Sequence, residues 1–555
     1  MRKIFLFISV LSLCSVCPAA IITVDDNAPA DYSNIQAAIN AANNGDTIIV
    51  QPGTYTGPGN RDIDFLGKAI TVRSTEPNDP WIVANTVVDC GGTNHRGFKF
   101  VSGEGRASIL DGLTITNAYI EVMCEGGAGI YIVVSSPTIS RCVITDNHAE
   151  LMSGSLCFCF GGGIYISGLY EAKSSPLITN CTISGNSVGD WGWGGGIYCE
   201  GLSDTTIHNC LVSNNYALGY AGEGGGICHG SSGNSTITNC TIVDNSAADN
   251  GGGIWFGGNG YMTITNSIVW DNAPDQIYPM SGTTISVAYS DVEGGYAGIG
   301  NIDTNPLFAD PNNGNYHLKS QAGRWNPSTQ SWVKDDVTSL CIDAGDPNSD
   351  WRRELWPNGR RINMGAYGGT PQASMSLSTL CSIADLDNDC DVDFNDLKLF
   401  TQKWLSQGVL LAADLDRNGD VNFMDFAIFG SEYYKENPAP GITYHVGGCG
   451  EGLLLMREAD ATRFTVTVNG HNIHFGDKVT ANCCLTGFEV TMGVYGNQII
   501  LYEREYLDGM PCTCECDYPV TADLGPFTSG TYTLIVLEVY NGHYNEVGTT
   551  TVNIE

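Results

Sequence analysis

Short alternations of apolar and polar residues organise the sequence between residues 126 and 272. Within this stretch a GGGIY-like phrase followed by a TITNCTI-like phrase returns five times, with Gly or Asn at the boundaries. The first phrases are anchored by Ile130, Ile164, Ile197, Ile227 and Ile254. A period of two residues over four or five positions predicts strands, and no window here has the spacing of a long amphipathic helix. The repeats are therefore predicted to be coils made of strands.

The distance between repeats varies although the phrase stays constant. The second phrases centre on Ile139, Ile178, Ile207, Ile237 and Ile264, which are 39, 29, 30 and 27 residues apart. A solenoid accommodates such variation in surface loops between its strands. We therefore predict a right-handed parallel β-helix with three short strands per coil.

Two columns of identical residues emerge when the repeats are aligned. One contains Cys142, Cys181, Cys210 and Cys240, followed by Ser267, and the other contains Asn147, Asn186, Asn215, Asn245 and Asn272. Neighbouring rungs lie about 4.8 Å apart, so small buried thiols can stack without forming disulfides. The asparagine amides are expected to bond to the backbone of a corner and to one another. Both columns therefore indicate scaffold rather than catalytic chemistry.

The residue after each anchor isoleucine is a candidate for the outer surface. If the isoleucines point inward, an almost complete aromatic column points outward, and nearby loops add two tryptophans. The candidate glycan-binding residues are Tyr131, Tyr165, Trp191, Trp193, Tyr198 and Trp255. A sugar ring stacks well on a flat aromatic side chain, so the column could form a polysaccharide groove. The alternative is that loops of the protein itself cover these aromatics.

The first part of the chain resembles the pectin-lyase-like superfamily of secreted β-helix proteins. The resemblance covers roughly residues 22 to 300 and rests on SNIQAAINAANNGDTIIVQPGTY together with the repeated phrases. It implies the fold but no particular reaction, because that superfamily contains lyases, hydrolases, esterases, epimerases and noncatalytic adhesins. A short helix between residues 32 and 42, with Ser33 as its N-cap, is expected to close the open end of a β-helix domain spanning 21–375.

A pair of acidic loops follows, with the spacing of calcium ligands. Positions 1, 3, 5, 9 and 12 of the first loop are Asp385, Asp387, Asp389, Asp393 and Asp396. The same positions 29 residues later are Asp414, Asp416, Asn418, Asn422 and Asp425. Position 7 contributes a backbone carbonyl, here from Asp391 and Asp420. The duplicated spacing predicts two calcium sites, each leading into an amphipathic helix.

Residues 383–437 resemble a type I dockerin, a calcium-binding pair of EF-hand-like loop-helix units. The resemblance implies attachment to a cohesin-like partner protein. Position 6 of the first loop is Cys390 where glycine is usual, which implies a weaker first site. Positions 10 and 11 are Phe394 with Asn395 and Phe423 with Met424, instead of small hydroxyl residues. Calcium binding is therefore better supported than cohesin binding.

The remaining residues, 441–555, alternate as strands and predict a small β-sandwich. Six cysteines concentrate there, and either three disulfides or a thiolate metal site would account for Cys449, Cys483, Cys484, Cys512, Cys514 and Cys516. The expected fold class is therefore mainly β: a right-handed parallel β-helix, a small α dockerin-like EF-hand pair and a C-terminal β-sandwich.

Charge and the first residues bear on the compartment. The chain has 60 acidic and 25 basic residues and a net charge of −35, which argues against nucleic acid or an anionic membrane as a partner. Residues 1–20 contain Arg2 and Lys3, an apolar run and the small residues Ala19 and Ala20, as a secretory signal peptide does. No other segment has the length of a membrane span. A secreted, extracellular or cell-surface protein is expected.

Two classes of function remain open from the sequence. The first is a noncatalytic glycan-binding or cell-surface β-helix protein attached to a partner through its calcium-dependent module. The alternative is a polysaccharide-degrading lyase or glycoside hydrolase, although no acid pair or calcium-plus-base set can be assembled on adjacent coils from the sequence alone.

Overall fold

The structure is a computed structural model. The residues it describes are 19–27, 29–123, 125–154, 157–169, 172–230, 232–377, 382–387, 392–408, 410–433, 441–446, 465–469, 472–482, 487–495, 498–506, 515–525, 527, 530–540 and 543–554. They divide into two compact units. The first contains the residues up to 306 with 344–347 and 363–368, and the second contains the rest. The expected signal peptide falls almost entirely outside the described residues.

Parallel strands stack rung upon rung through the first unit, as the repeats predict. The strands of sheet one are Ile21–Val24, Thr47–Val50, Thr71–Ser74, Ile109–Asp111, Thr138–Ser140, Leu177–Thr179, Thr206–His208, Ser235–Thr238, Tyr261–Thr265 and Thr284–Ala288. Those of sheet two are Gly53–Tyr55, Thr86–Asp89, Thr114–Thr116, Val143–Thr145, Thr182–Ser184, Leu211–Ser213, Thr241–Val243, Ile268–Trp270 and Asp291–Val292. Those of sheet three are Ile63–Asp64, Phe98–Phe100, Ile130–Val133, Ile164–Gly168, Ile197–Gly201, Ile227–His229, Ile254–Phe256 and Ile277–Pro279.

A fourth parallel sheet runs through five of the coils. Its strands are Tyr119–Val122, His148–Leu151, Ser187–Val188, Tyr216–Ala217 and Ser246–Ala247. The expectation of three strands per coil is therefore too low for these coils. The extra strands were missed because each is only two to four residues long and follows directly after the asparagine column. An outlying parallel pair, Cys159–Phe160 and Gly192–Trp193, lies beside this stack.

The interior of the first unit is one hydrophobic cluster. The anchor isoleucines Ile130, Ile164 and Ile197 are fully buried in it, and they pair rung to rung. The glycine before each anchor makes this stacking possible. A Cβ on Gly196 would lie 2.6 Å from the Gly226 carbonyl oxygen on the next rung. The repeated GGGI phrase therefore marks a position where the backbones of adjacent coils approach closely.

Both predicted columns form internal ladders. Each asparagine in the second column is buried, and its amide bonds to the next asparagine: Asn186 Nδ2 donates to Asn215 Oδ1 over 3.0 Å and to the Ile144 carbonyl over 2.9 Å. The thiols of the first column form no disulfide, and that of Cys181 donates to the Ile139 carbonyl at 3.6 Å. Ser267 continues this column, and Ser290 extends it by one further rung.

Helix α1 covers one end of the coils over Ile35–Ala41. Its buried face is Ile35, Ala38 and Ile39, as expected, but its N-cap is Asn34 rather than Ser33. The Asn34 side chain accepts a hydrogen bond from the Ala37 backbone N–H at 2.9 Å, so the helix begins one residue later than the hydroxyl at 33 indicates. A second short helix, α2, spans Pro80–Ala84. No described helix has the length and apolar character needed to cross a membrane.

The second unit contains three groups of elements. Two antiparallel hairpins come first, formed by Phe308–Asp310 with Asn315–Leu318 and by Arg324–Asn326 with Ser331–Val333, and a 3-10 turn spans Pro311–Asn313. Helices α3, Phe394–Gln402, and α4, Phe423–Glu432, follow and share a small core.

Two four-stranded sheets complete the second unit and share one hydrophobic cluster. In spatial order, one contains Gly441–Val446, Glu515–Gly525, Asn472–Asn482 and Thr465–Asn469. The other contains Gly487–Tyr495, Gln498–Tyr506, Gly530–Tyr540 and His543–Ile554. Of the six cysteines predicted to pair here, only Cys516 lies in a described strand, so their chemistry lies outside the described residues. The β-sandwich stays a prediction.

Candidate functional sites

Two carboxylate clusters form at the loops for which the sequence predicts calcium. One contains Asp385, Asp387 and Asp396, and in it one carboxylate oxygen from each residue lies within 4.8 Å of the others. The second contains Asp414, Asp416 and Asp425 under the same limit. These are positions 1, 3 and 12 of each predicted loop. The described residues contain no other such group of acids, histidines or cysteines.

The backbone around the two clusters is arranged in the same way. Asp396 Oδ1 accepts N–H groups from Leu386 and Asp387 at 2.6 and 3.0 Å, and its Oδ2 accepts the Asp393 N–H at 2.8 Å. Twenty-nine residues later, Asp425 Oδ1 accepts from Leu415 and Asp416 at 2.7 and 3.1 Å, and its Oδ2 accepts from Asn422 at 2.8 Å. Two segments with different side chains in the loop therefore adopt one geometry.

Helix capping explains how position 12 is held. Asp393 and Asn422 are the N-caps of α3 and α4, and Asp396 and Asp425 complete a capping box in each. An acidic residue in the first turn is also favoured by the helix dipole. The last ligand of each predicted loop is therefore buried and fixed by local structure alone.

The middle of the second loop turns around Asp414. Its carboxylate accepts N–H groups from Asn418 at 3.1 Å and Gly419 at 2.8 Å, and Asn418 Nδ2 donates to Asp416 at 2.8 Å. Asn422 Nδ2 donates to the Asp420 carbonyl at 3.1 Å, which places positions 7 and 9 side by side. In the first loop Asp389 and Asp391 lie outside the described residues.

The donor set suits a hard divalent cation. Oxygen ligands from carboxylates, an amide and a backbone carbonyl are those that calcium takes. Burial raises the pKa of Asp414 and the neighbouring Asp425 charge adds to this, while the N–H groups of Gly419 and Asn418 oppose it. A cation between the carboxylates would relieve their mutual repulsion. The residues present therefore fit calcium.

The aromatic column forms, but it is covered. Tyr165, Tyr198 and Trp255 are only 5%, 3% and 5% exposed, and they belong to a hydrophobic cluster outside the coil interior. The expectation that these three line an open glycan groove is therefore wrong, and the alternative of cover by the protein's own loops is correct for them. The outward direction was predicted correctly, because alternation along a strand determines it.

Residues of the outlying strand pair provide much of this cover. The Phe160 ring stacks on Tyr198 with centroids 4.4 Å apart, and the Trp193 ring lies 5.6 Å from that of Trp255. Tyr131 stacks on Tyr165 at 5.3 Å and lies under the Arg96 guanidinium, 4.6 Å from the ring centroid. Burial is also the main reason that the pKa values of Tyr131 and Tyr165 are raised.

One exposed aromatic pair remains among the predicted sugar-binding residues. Trp191 is 41% exposed, and its ring meets that of Tyr220, which is 68% exposed, at 4.8 Å in an edge-to-face arrangement. Asp190 supports the pair, because its carboxylate accepts the Tyr220 backbone N–H at 2.8 Å. This pair presents a wide apolar surface next to hydrogen-bonding groups.

Two carboxylates stand side by side on the fourth sheet, near this pair. Glu121 and Glu150 are register partners on adjacent rungs. Both point outward, because the preceding residues Ile120 and Ala149 are buried and side chains alternate along a strand. His148 Nε2 lies 3.2 Å from Glu150. A Cβ on Gly189, two residues before Trp191, would lie 2.2 Å from a Glu150 carboxylate oxygen, so the acid and the exposed aromatics share one face.

Sequence reasoning did not find Glu121, because it lies in a strand that has no repeat phrase. The register of the fourth sheet, which pairs Glu121 with Glu150, is visible only in the structure. Phe160 was missed for a similar reason, since it lies in the longest insertion between repeats.

Comparison with known proteins supports the fold of the first unit. Residues 30–195 and 100–292 match the family described as right handed beta helix region. A solved structure described as "Crystal structure of pectate lyase Pel9A" is similar, with 15% sequence identity and a TM-score of 0.33, covering 63% of this chain and 97% of that chain. No curated protein matches the chain. The family match, together with the parallel pairing of strands in the structure, confirms the predicted right-handed parallel β-helix.

Proposed function

We propose that this is an exported β-helix protein that attaches to a partner through a calcium-dependent, dockerin-like pair of loop-helix units. The observation that carries the proposal is the duplicated carboxylate cluster, whose two copies share positions 1, 3 and 12 and the same backbone hydrogen bonds. Calcium, once bound, would link the segments of each loop to the start of its helix. The Asp391 and Asp420 carbonyls are assigned to position 7 of the two sites.

The partner surface is proposed to include the apolar residues at the helix starts. Phe394, Phe423 and Met424 are 67%, 76% and 63% exposed, and they occupy positions 10 and 11 of their loops. Large exposed apolar residues grouped in one module mark a protein contact. We infer a cohesin-like partner with a more apolar surface than one that recognises small hydroxyl residues.

Calcium titration by calorimetry tests the metal proposal. The full chain should bind two calcium ions, and Asp416→Ala should remove one of them because Asp416 is an exposed position-3 ligand. Asp420→Ala is the matched control, since position 7 uses a backbone carbonyl and Asp420 is as exposed as Asp416. Two retained sites in Asp416→Ala, or no heat from the unaltered chain, would contradict the assignment.

For the β-helix we propose binding of a polysaccharide on the face that carries Trp191 and Tyr220. The support is their exposure and mutual packing, since indole and phenol rings stack on pyranose faces. The buried members of the aromatic column are assigned no ligand role. Sedimentation of the protein with insoluble glycans should fall when Trp191 and Tyr220 are both replaced by alanine, and the equally exposed Tyr261→Ala should leave it unchanged.

A polysaccharide-degrading activity is the second candidate, and the Glu121–Glu150 pair favours it. Adjacent rungs lie about 4.8 Å apart. Retaining glycosidases hold their two carboxyl groups about 5 Å apart, one to protonate the leaving oxygen and one to attack the sugar. His148 Nε2, 3.2 Å from Glu150, would orient that carboxylate. New reducing or unsaturated ends from plant or algal polysaccharides, lost in Glu150→Gln, would establish the enzyme; no product from any substrate would remove it.

A further inference from the structure

A pocket of about 280 Å³ in the second unit has an unusual charge for this protein. Four cationic side chains line it: Arg352, Arg353, Lys403 and Arg417. The whole chain has only 25 lysines and arginines against 60 acidic residues. Cations in such a chain have many possible acidic partners, so a group of four around one cavity is unexpected unless its charge has a use.

Two of these four cations have no carboxylate partner among the described residues. Arg353 and Lys403 are exposed, and neither side chain forms a hydrogen bond or ion pair with a residue that the structure describes. Arg417 donates to the carbonyl oxygens of Leu411 and Asp414 at 3.1 and 3.0 Å and to that of Trp356 at 3.3 Å. Its guanidinium is therefore oriented by neutral carbonyl acceptors, and it also interacts electrostatically with Asp414 and Asp425 of the second carboxylate cluster.

The other cations and acids of the lining change this balance little. Arg352 meets Asp350 at 3.7 Å, but both side chains are 68% exposed, and such pairs are weak. Glu354 is buried and accepts the Gly369 N–H at 2.7 Å. Asp385 belongs to the first carboxylate cluster, where a bound calcium ion would offset its charge. The lining therefore contains four cationic side chains against two acidic ones.

The remaining lining is apolar. Leu355 is buried, and Trp356 and Leu411 are half-buried around the cavity. Ligand pockets for whole drug-sized molecules span about 300–1,000 Å³, so this one is suited to a single ring. A sugar ring with a carboxylate combines an apolar face for the indole with an anion for the guanidinium groups, which bind carboxylates through two parallel hydrogen bonds.

We propose that this pocket binds one hexuronate unit of an acidic polysaccharide. The site is distinct from the Trp191–Tyr220 face and gives the second unit a carbohydrate contact of its own. Because Asp385 lines the pocket, calcium bound at the first site would lower the local negative charge and favour the uronate. This effect of calcium rests on the proposed calcium function.

Paired probes test the proposal on the full chain in saturating calcium. Methyl galacturonoside and methyl galactoside share a ring and differ by the carboxylate, and their affinities can be compared by ligand-observed NMR titration. The uronoside should bind about tenfold or more tightly than the neutral sugar, because its carboxylate accepts charge-assisted hydrogen bonds that the neutral sugar cannot form. Arg353→Gln combined with Lys403→Gln should remove this preference, while Lys398→Gln, an exposed lysine on the same helix outside the pocket, should preserve it.

Several results would overturn the proposal. These are equal binding of the two sugars, an unchanged preference in the double variant, and inorganic sulfate or N-acetyl-leucine binding as tightly as the uronoside. Calcium titration of the same double variant separates this site from the metal proposal. Two calcium sites with no uronoside binding would overturn the pocket only, whereas uronoside binding without calcium binding would overturn the metal assignment only.

Discussion

At the scale of single residues, the repeated phrase records two corners of each coil. The residue before each ladder position has a left-handed backbone: φ is 50° at Asn209, before Cys210, and 54° at Asn214, before Asn215. Asparagine tolerates this conformation better than other non-glycine residues. In the dipeptides NC, NN and DN, the first residue thus adopts the left-handed backbone of the corner and the second points its side chain into the ladder.

Replacing Asn215 with alanine should lower the free energy of unfolding by about 3 kcal/mol. Its amide oxygen accepts both the backbone N–H and the side-chain N–H of Asn186, and buried donors that lose a partner cost about 1–3 kcal/mol each. Denaturant unfolding of the full chain measures the change. The neighbouring Asn214→Gly should cost far less, because glycine accepts the left-handed corner; equal losses in the two variants would contradict the ladder's role.

At the scale of elements, the short pair Cys159–Phe160 and Gly192–Trp193 determines what the aromatic column can do. The Phe160 ring stacks on Tyr198, and the Trp193 ring contacts that of Trp255. The Trp193 indole N–H also donates to the Ala221 carbonyl at 3.2 Å. The column could be predicted from alternation along the strands. Its cover could not, because residues 151–160 form an insertion with no repeat phrase and their position depends on tertiary packing.

The Phe160→Ala variant should uncover this column. We expect a loss of about 2 kcal/mol in stability, less than the 3–5 kcal/mol typical of a fully buried phenylalanine because Phe160 is half-buried. Tyr198 should also become reactive towards a phenol-modifying reagent. The control Tyr261→Ala changes an exposed residue on a strand of sheet one and should alter neither readout. A Tyr198 that stays protected in Phe160→Ala would show that other residues suffice as cover.

At the scale of the whole molecule, the described residues have separate cores. The coil interior, the small core of α3 and α4, and the core of the two C-terminal sheets are three different clusters. Each has its own apolar burial, so each can unfold at its own temperature. The β-helix and the existence of the acidic loops could be predicted from local periodicity and spacing. The Glu121–Glu150 pair and the cationic pocket could not be predicted, because each is formed by segments that no sequence repeat or motif connects.

Calorimetric scans with and without a calcium chelator should therefore respond unequally. Calcium should raise the free energy of unfolding of the part that contains α3 and α4, by about 2.7 kcal/mol for each site at a hundredfold excess over its dissociation constant. The β-helix transition should stay unchanged. The Asn215→Ala variant identifies the β-helix transition, because it should lower that one alone. A calcium shift of the same transition that Asn215→Ala lowers would contradict this separation.

The asparagine ladder has a direction and a terminus. Each side-chain amide donates a hydrogen bond to the asparagine of the next rung. The series ends at Asn272, whose amide donates to Gln276 of its own coil at 2.8 Å. In each internal rung the asparagine Oδ1 accepts from the preceding rung and the Nδ2 donates to the following one. A duplicated coil could therefore keep the same hydrogen bonds and would lengthen the stack by about 4.8 Å. Whole-repeat duplication would therefore lengthen the β-helix in equal steps without a new kind of contact in the asparagine column.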